Sequence, residues 1–354
     1  KRKQLLYVNV MKERKIYLDL IRVVACVMVV LMHSPVPESL NPATKGAGPF
    51  LVYLSYLTTP CVPLFFMVSG ALLLPCKSEI NAIDYLKKRL KKVVFPTLSF
   101  TLLYVIWTWN PTSGVKDAIV TLLSIPFKVK GHGVLWFMYT LTGLYLLIPI
   151  LSHWIRNVSK RELELYLCIW GISLMYPFIG LFLDIETEAR GILYYFTGYV
   201  GYFLLGHYLA KYEVSFKILL IFAIMMLPLP LVNKILNWNL DFYSVFWYLS
   251  ITVAVMTAAW FVAIKKYWGH KNKIEGICGK FIETTSNYGF GIYLVHIFIM
   301  RAFIWYIPFV ENISNYYLQT FVVAILTFTA SWIFSWLIAK LPCSQYIIGY
   351  SSKK

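Results

Sequence analysis

The amino-acid sequence predicts an all-α integral membrane protein, and three observations lead to this fold class. First, 59% of the 354 residues are hydrophobic and only 14% are charged, with a mean hydropathy of +0.66. Second, apolar runs of about 18 or more residues recur along the whole sequence, as membrane-spanning helices require. Third, these runs are continuously apolar, whereas the strands of a membrane β-barrel alternate between apolar and polar residues.

The apolar runs predict about ten transmembrane helices. Their expected limits are 16–34, 50–74, 93–109, 133–152, 164–182, 192–210, 217–236, 242–264, 286–307 and 316–339. This organisation divides the chain into a basic N-terminal tail (1–15), a ten-helix membrane domain (16–340) and a C-terminal tail (341–354).

The distribution of basic residues predicts the orientation of these helices. The chain has 33 Lys and Arg against 16 Asp and Glu, a net charge of +17. Most of the basic residues fall in the connections on one side, which the positive-inside rule places in the cytoplasm. Both termini are therefore expected in the cytoplasm. Because the charge lies in short loops between apolar runs, it indicates membrane orientation and not nucleic-acid binding.

The cysteines and histidines predict neither a disulfide framework nor a metal site. The six cysteines are scattered, without a CxxC pair, and are best read as small apolar residues or idle thiols. No HxxxH or HxxE pattern occurs, so no metal is expected.

Three polar residues interrupt the first apolar run: Asp19, Arg22 and His33. His33 follows Arg22 by eleven residues, about 20° past three full helical turns, so both side chains share one face about 16 Å apart. Asp19 precedes Arg22 at i, i+3 and can pair with it. The helix thus carries a cation near the cytoplasmic surface and a titratable base near the outer surface.

Two interpretations of this polar stripe remain open on physical grounds. Asp19 and Arg22 could form an interfacial ion pair, with His33 as a snorkelling residue at the helix end. Alternatively, the stripe could serve a reaction conducted across the membrane, with Arg22 holding an anionic donor and His33 acting as a base.

The segment YLDLIRVVACVMVVLMH (17–33) resembles the first helix of the acyltransferase-3 family of membrane O-acyltransferases. The signature of that helix is an Arg, ten residues and a His, which Arg22 and His33 match, with Leu18-Asp19 before them. Further family-like stretches follow in the expected order: PLFFMVSGALLL (63–74), YLKKRLKKVVFP (85–96), LWFMYTLTGLYLLIPIL (135–151), YFLLGHYL (202–209) and YGFGIYLVHIFIM (288–300). The stretch at 85–96 is interpreted as a basic loop that runs into a helix started by Pro96.

The resemblance covers nearly the whole chain and implies a stand-alone membrane domain without an appended extracytoplasmic hydrolase-like domain. It implies transfer of an acetyl or other short acyl group from cytoplasmic acetyl-CoA to a hydroxyl of a cell-envelope carbohydrate or lipid-linked sugar. The expected location is the bacterial cytoplasmic (inner) membrane. Membrane lipids are expected partners, and a homodimer is among the assemblies that the sequence allows.

The donor is expected at the basic side, because CoA is a polyanion. Arg22 would bind it, with Asp19 positioning Arg22, and Arg89, Lys88, Lys92 and Ser69 are further candidates. The basic residues could instead orient the protein or contact anionic lipids. Small residues such as Ser69 and Gly70 could equally serve helix packing.

The acceptor is expected on the outer side. His33 would act as general base or as a transient acyl carrier, and the sequence does not separate these roles. Acceptor contacts are assigned to Trp136, Tyr293, His296, Glu186 and Glu188. Simpler interpretations exist as well: an interfacial anchor for Trp136, a buried neutral imidazole hydrogen-bonded to Tyr293 or to a backbone carbonyl for His296, and a solvated loop for the two glutamates.

A second function class is a transporter or exporter of a polysaccharide or small acylated molecule. Many helices with buried polar residues would suit a permeation path. The sequence shows no internal repeat with paired broken helices, which favours the enzyme.

Overall fold

The computed structural model describes residues 14–74, 81–108, 115–124, 135–183, 192–193, 196–238, 240–271 and 274–352, and these contain helices and no strand. The α-helices are α1 (Ile16–His33), α2 (Gly48–Thr58), α3 (Cys61–Leu73), α4 (Ala82–Trp107), α5 (Val115–Leu123), α6 (Trp136–Asn157), α7 (Lys160–Ser173), α8 (Tyr176–Leu183), α9 (Val200–Lys211), α10 (Phe216–Met226), α11 (Leu229–Ile235), α12 (Phe242–Val245), α13 (Ile251–Trp268), α14 (Gly276–Ala302), α15 (Pro308–Glu311), α16 (Tyr316–Ala339) and α17 (Ser344–Ile347). The predicted all-α membrane fold is confirmed.

Seven helical segments within the described residues are long and apolar enough to cross a membrane. They are Ile16–His33, Gly48–Leu73, Ala82–Trp107, Trp136–Asn157, Phe216–Ile235, Gly276–Tyr306 and Tyr316–Ala339. The other three predicted spans coincide with α7 and α8, with α9, and with α13, which are shorter or end in lysines. A total of ten spans, with both termini in the cytoplasm, stays a prediction.

Helix α1 lies in the interior of the bundle. It packs against α2, α3, α13, α14 and α16, and most of its side chains are buried. The polar residues of its stripe therefore meet protein and not lipid, which is how ionisable groups are accommodated in membrane proteins.

Helices α3 and α9 pack more extensively against each other than any other pair of described helices. Two glycines explain the close approach. A Cβ atom on Gly70 would lie 2.0 Å from the carbonyl oxygen of Phe203, and one on Gly206 would lie 2.1 Å from the carbonyl oxygen of Met67. Gly70 therefore serves helix packing, as small residues commonly do in membranes.

The basic segment before Pro96 is helical, so its interpretation as a loop was wrong. Helix α4 begins at Ala82, where the side chain of Asn81 accepts hydrogen bonds from the N–H groups of Ile83 and Asp84. Its first turns contain Leu, Lys and Arg, which are good helix formers. Pro96 consequently lies inside α4 and does not start a helix. Hydropathy identifies only the apolar part of a helix, so it placed the start too late.

The basic segments meet at one end of the bundle, here called the basic end. Arg14, Lys265 and Lys271 line one cavity there, and Lys87 and Lys91 line another beside Tyr346. This grouping agrees with the charge asymmetry that the positive-inside rule uses.

Candidate active site

Asp19 lies at the centre of a polar cluster near the basic end. It is 3% exposed, and its carboxylate accepts hydrogen bonds from Arg22 Nη1 at 3.2 Å, from Ser286 Oγ at 2.7 Å and from Arg14 Nε. The predicted contact between Asp19 and Arg22 is present. A buried carboxylate is stable only when charges and donors surround it, as they do here.

Arg14 extends this cluster from α1 to α14. Besides Asp19, it donates to Glu283 Oε1 at 2.9 Å and to Asn287 Oδ1 at 3.1 Å. The start of α1 is therefore fixed to α14 by charged hydrogen bonds, which are stronger than neutral ones. From the sequence alone, Arg14 is only one of several basic residues of the N-terminal tail (1–15).

The side chain of Arg22 opens onto a cavity of about 200 Å³. This cavity, called the Arg22 cavity below, is lined by Arg22, Phe65, Ser69, Arg89, Lys92, Val93, Phe137, Leu141, Tyr145, Ser286, Gly289, Phe290, Tyr293 and Gly349. It thus brings together the predicted residues Arg22, Ser69, Arg89, Lys92 and Tyr293 from four helices. The side chain of Lys88 lies outside the described part of the structure.

The Arg22 cavity has a positive lining. Its described lining includes three cations, Arg22, Arg89 and Lys92, and no carboxylate. Asp19 does not line it, but is hydrogen-bonded to two of its lining residues, Arg22 and Ser286. Such a lining favours an anionic ligand, and the planar guanidinium groups can bind phosphate oxygens in pairs.

Ser69 lies on the wall of the Arg22 cavity, 3.5 Å from the hydroxyl of Tyr145. The adjacent Gly70 faces α9 instead, against the backbone of Phe203. The two small residues of the Ser-Gly pair thus have different environments, one at the cavity and one at a helix contact.

The two histidines of the predicted site lie side by side. His33 ends α1, and its ring centroid is 5.3 Å from that of His296 on α14, in an edge-to-face arrangement. His296 is fully buried, whereas His33 is partly exposed. No spacing in the sequence relates these two residues, because they belong to helices far apart in the chain.

Hydrogen bonds define the tautomer of both imidazoles. His33 Nδ1 lies 2.8 Å from the carbonyl oxygen of Val29, and His296 Nδ1 lies 2.6 Å from that of Tyr293. A carbonyl only accepts, so each Nδ1 carries the proton and each Nε2 presents a lone pair. His296 Nε2 is buried and has no partner within the described residues. Both rings are therefore held with a basic nitrogen available.

Tyr293 links the Arg22 cavity to the histidines. It lines the cavity, and its ring centroid is 5.6 Å from that of His296. The ring centroid of Phe137, which also lines the cavity, lies 5.0 Å from that of Tyr293. Tyr293 therefore both lines the cationic cavity and contacts the imidazole of His296.

Trp136 belongs to an aromatic cluster and does not line the Arg22 cavity. Its ring lies 5.4 Å from Tyr199 and 5.3 Å from Tyr248. The hydroxyl of Tyr248 donates to the sulfur of Met32, next to His33. Glu186 and Glu188 lie outside the described residues.

Three further residues of the site escaped the sequence analysis: Ser286, Tyr145 and Phe137. Ser286 contacts both Asp19 and Arg22 and lines the cavity. Its spacing of seven residues before Tyr293 puts both on one face of a helix, which is a signal that could have found it. Tyr145 and Phe137 lie in the family-like stretch 135–151, but neither is predicted to contact a substrate.

Among the described residues, no group of three or more His, Cys, Asp and Glu side chains is placed to hold a metal ion. Cys26 and Cys61 are buried, while Cys168, Cys278 and Cys343 are exposed, and all five are free thiols. Cys26 lies on α1 between Arg22 and His33, with its sulfur 3.6 Å from the carbonyl oxygen of Gly289.

Comparison with known proteins gives a match to a protein family, and it covers nearly the whole chain. The family model described as an acyltransferase domain matches residues 15–336. No curated protein sequence and no solved structure matches the chain. The match includes the Arg22–His33 helix, the histidine pair and every residue that lines the Arg22 cavity except Gly349. The chain therefore belongs to the acyltransferase-3 family of membrane acyltransferases.

Proposed function

We propose that this acyltransferase moves an acetyl or other short acyl group from cytoplasmic acyl-CoA to a hydroxyl of a cell-envelope carbohydrate or lipid-linked sugar. One observation carries the proposal. The cationic Arg22 cavity reaches Tyr293, and Tyr293 contacts the imidazole of His296 beside His33. A binding site for the anionic acyl-CoA and a basic nitrogen for the acceptor hydroxyl would thus lie next to each other. The protein would act in the bacterial cytoplasmic membrane.

The donor would lie in the Arg22 cavity with its phosphates toward the basic end. Arg22 and Arg89 would bind phosphate oxygens, with Lys92 and Lys88 adding positive charge. Ser69, beside Tyr145, would offer a hydroxyl to the donor's polar arm. Arg22 and His33 are about 16 Å apart along α1 by helical rise, so the thioester would point along this helix toward the histidines.

The reaction would take place at Nε2 of His33. As general base, Nε2 accepts the proton of the acceptor hydroxyl while the hydroxyl oxygen attacks the thioester carbonyl. The carbon–sulfur bond then breaks, and the imidazolium returns the proton to the leaving thiolate, giving free CoA and the ester. As acyl carrier, Nε2 would itself attack the thioester carbonyl, and the carbon–sulfur bond would break to release the CoA thiolate. The acceptor hydroxyl would then attack the acyl-imidazolium, the carbon–nitrogen bond would break, and the hydroxyl proton would pass to the thiolate. Both routes use the same lone pair.

The acceptor would approach from the side of the histidines. His296 presents a second basic nitrogen that could accept a hydrogen bond from the sugar hydroxyl. Tyr293 and Trp136 would offer aromatic faces to the sugar ring, and Glu186 and Glu188 are proposed to bind further hydroxyls. Asp19 would keep Arg22 in place.

Acetyl transfer can be tested with the purified chain in liposomes that contain envelope lipids. The liposomes receive acetyl-CoA labelled with ¹⁴C in the acetyl group, and both labelled glycolipid and released CoA are measured. We expect equal amounts of the two products. Accumulation of CoA with label on the wild-type protein but not on His33→Ala, after rapid denaturation at neutral pH, would identify the acyl-carrier route. Flux of carbohydrate without any consumption of acetyl-CoA would overturn the proposal in favour of a transporter.

A further inference from the structure

A second cavity lies at the basic end, between the start of α1 and the ends of α9 and α13. Its volume is about 630 Å³. It is lined by Arg14, Lys15, Tyr17, Leu209, Ala210, Tyr212, Glu213, Val214, Phe216, Val262, Lys265, Lys266, Gly269, His270 and Lys271. It shares no lining residue with the Arg22 cavity. We call it the α1/α13 cavity.

One carboxylate and one lysine of this cavity neutralise each other. Glu213 is the acidic residue of its lining, and its Oε1 lies 2.9 Å from Nζ of Lys265. Nζ of Lys265 also donates to the carbonyl oxygens of Leu209 and Tyr212, at 2.9 and 3.2 Å. Lys265 therefore closes the C-terminal end of α9, a position that favours a cation. Lys265 thus stabilises the wall of the cavity. Because Glu213 is paired with Lys265, it does not pair with the other described basic residues of the lining.

Three lysines of the lining form no ion pair with a described carboxylate: Lys15, Lys266 and Lys271. All three are exposed. The amine of Lys266 lies 4.9 Å from the ring centroid of Phe216, and that of Lys271 lies 4.6 Å from that of Trp268. Aromatic faces hold cations in this way. Within the described residues, these lysines thus present positive charge that no carboxylate pairs with.

A buried hydroxyl on the wall adds a second and independent observation. Tyr17 is 4% exposed, and its hydroxyl has no hydrogen-bond partner within the described residues. Buried hydroxyl groups nearly always have a partner, so an unpaired one on a cavity wall indicates a missing acceptor. An anionic oxygen would accept from Tyr17 and would be attracted by the lysines.

We propose that the α1/α13 cavity binds a phosphate group, carried either by an anionic phospholipid or by a soluble phosphate ester. The lysine ammonium groups are compact charges suited to phosphate. The volume exceeds the needs of a lone phosphate and leaves room for the group that carries it. The proposal does not depend on the acyl donor or acceptor.

The bound phosphate would also act on the site of Arg22. Arg14 lines the α1/α13 cavity and at the same time donates to Asp19, which accepts from Arg22. A phosphate that attracts Arg14 would weaken its hold on Asp19 and leave that carboxylate more fully to Arg22. Arg14 thus joins the lining of the α1/α13 cavity to the carboxylate that holds Arg22.

The test uses the full chain in nanodiscs of phosphatidylcholine. One arm adds phosphatidylglycerol in rising proportion and counts retained lipid by native mass spectrometry. The other arm adds 3′,5′-ADP to nanodiscs of pure phosphatidylcholine and measures binding by calorimetry. The variants are Lys266→Gln with Lys271→Gln, and Tyr17→Phe. The control is Lys280→Gln with Lys340→Gln, which removes the same charge from exposed lysines that line neither cavity.

We expect the Lys266→Gln/Lys271→Gln variant to lose about tenfold in affinity for one of the two ligands, as loss of charged hydrogen bonds implies, while the control stays within about twofold. Tyr17→Phe should weaken binding of the same ligand. If the lysine variant does not fold, the binding measured with Tyr17→Phe decides the test. The ligand affected identifies the source of the phosphate. Equal binding by the lysine variant and the control in both arms would overturn the proposal. Binding of 3′,5′-ADP that survives in the lysine variant belongs to the Arg22 cavity, and the phosphatidylglycerol arm then decides the proposal alone.

Discussion

The imidazole rings of His33 and His296 lie 5.3 Å apart, edge to face. This contact joins α1 to α14, and the same two helices also meet where Ser286 donates to Asp19 at 2.7 Å. The first helix is therefore held to one partner at both ends of its polar stripe. Because rigid helices and not loops carry these residues, the distance from Arg22 to the imidazoles is fixed.

Replacing His33 tests the chemistry assigned to its free Nε2. His33→Ala should lower kcat for acetyl transfer by about 10²- to 10⁴-fold, the usual contribution of a positioned acid–base group. The KM for acetyl-CoA should change little, because the donor's phosphates are proposed to bind at Arg22. Steady-state transfer of labelled acetyl groups in liposomes measures both constants.

A surface histidine provides the matched control for this variant. His153 on α6 is exposed, and its Nδ1 lies 3.1 Å from Nη2 of Arg156. Because His153 lies outside the candidate site, His153→Ala should leave kcat unchanged. A thermal unfolding curve confirms that both variants fold. If folded His33→Ala protein transfers acetyl groups at the rate of the wild type, the assignment of the reaction to Nε2 is wrong.

Exchange of Arg22 for lysine tests donor binding in the Arg22 cavity. Lysine keeps the charge but loses the planar fork that binds two phosphate oxygens. A charged hydrogen bond contributes about 1.5–3 kcal/mol, so Arg22→Lys should raise the KM for acetyl-CoA at least tenfold, by roughly the factor that this energy implies. The turnover number should change much less.

Arg156→Lys is the control, since Arg156 lies in the last turn of α6 and does not line the Arg22 cavity. Its KM for acetyl-CoA should equal that of the wild type. An unchanged KM in Arg22→Lys, together with a large loss of turnover, would place Arg22 at the reacting group and not at the phosphates.

The stripe on α1 could be predicted because it depends on one helix alone. Helical geometry puts Arg22 and His33 on one face and Asp19 one turn before Arg22. The structure shows the contact between Asp19 and Arg22 at 3.2 Å. The membrane environment then requires that this face point inward, which α1 does. Local spacing and the bilayer thus determine this part of the site.

Contacts between distant helices could not be predicted in this way. Ser286 and Asp19 are 267 positions apart, and no periodicity in either helix states which faces meet. The same holds for His33 with His296. Helix ends beyond the apolar core were also missed, because the first turns of α4 are charged and depend on the cap at Asn81. Hydropathy reports which residues face lipid. Contacts between helices and charged helix ends do not face lipid, so hydropathy does not predict them.

Asp19→Asn tests whether the buried carboxylate holds the two arginines in place. The amide keeps the shape but removes the charge that balances Arg14 and Arg22. The side chains of both arginines remain partly exposed, at 41% and 32%, so water screens part of the loss. We expect a destabilisation of about 1–3 kcal/mol, seen as a lower Tm in detergent, and a higher KM for acetyl-CoA.

Asp117→Asn is the matched control, because Asp117 is an exposed residue of α5. Its Tm should stay close to that of the wild type. Loss of stability in Asp19→Asn with an unchanged KM would mean that Asp19 supports the fold but does not position Arg22.

A Gly→Ala substitution should destabilise the protein where α3 and α9 cross and stabilise it at an open position on α6. Gly70→Ala and Gly206→Ala would each place a Cβ atom 2.0–2.1 Å from a backbone carbonyl oxygen of the other helix. Backbone cannot rotate away as a side chain can, so the helices must separate. We expect each variant to lose about 1–3 kcal/mol of stability, or more, as overpacked interiors do.

Gly143→Ala on α6 should instead stabilise the protein, because nothing lies within 4 Å of its added Cβ atom. Alanine in a helix interior is favoured over glycine by about 0.5–1 kcal/mol. Thermal unfolding of the three variants in one detergent compares these effects directly. A Tm for Gly70→Ala at or above that of Gly143→Ala would show that α3 and α9 do not pack this closely. Since Ser69 adjoins Gly70, the first variant should also raise the KM for acetyl-CoA, whereas Gly143→Ala should not.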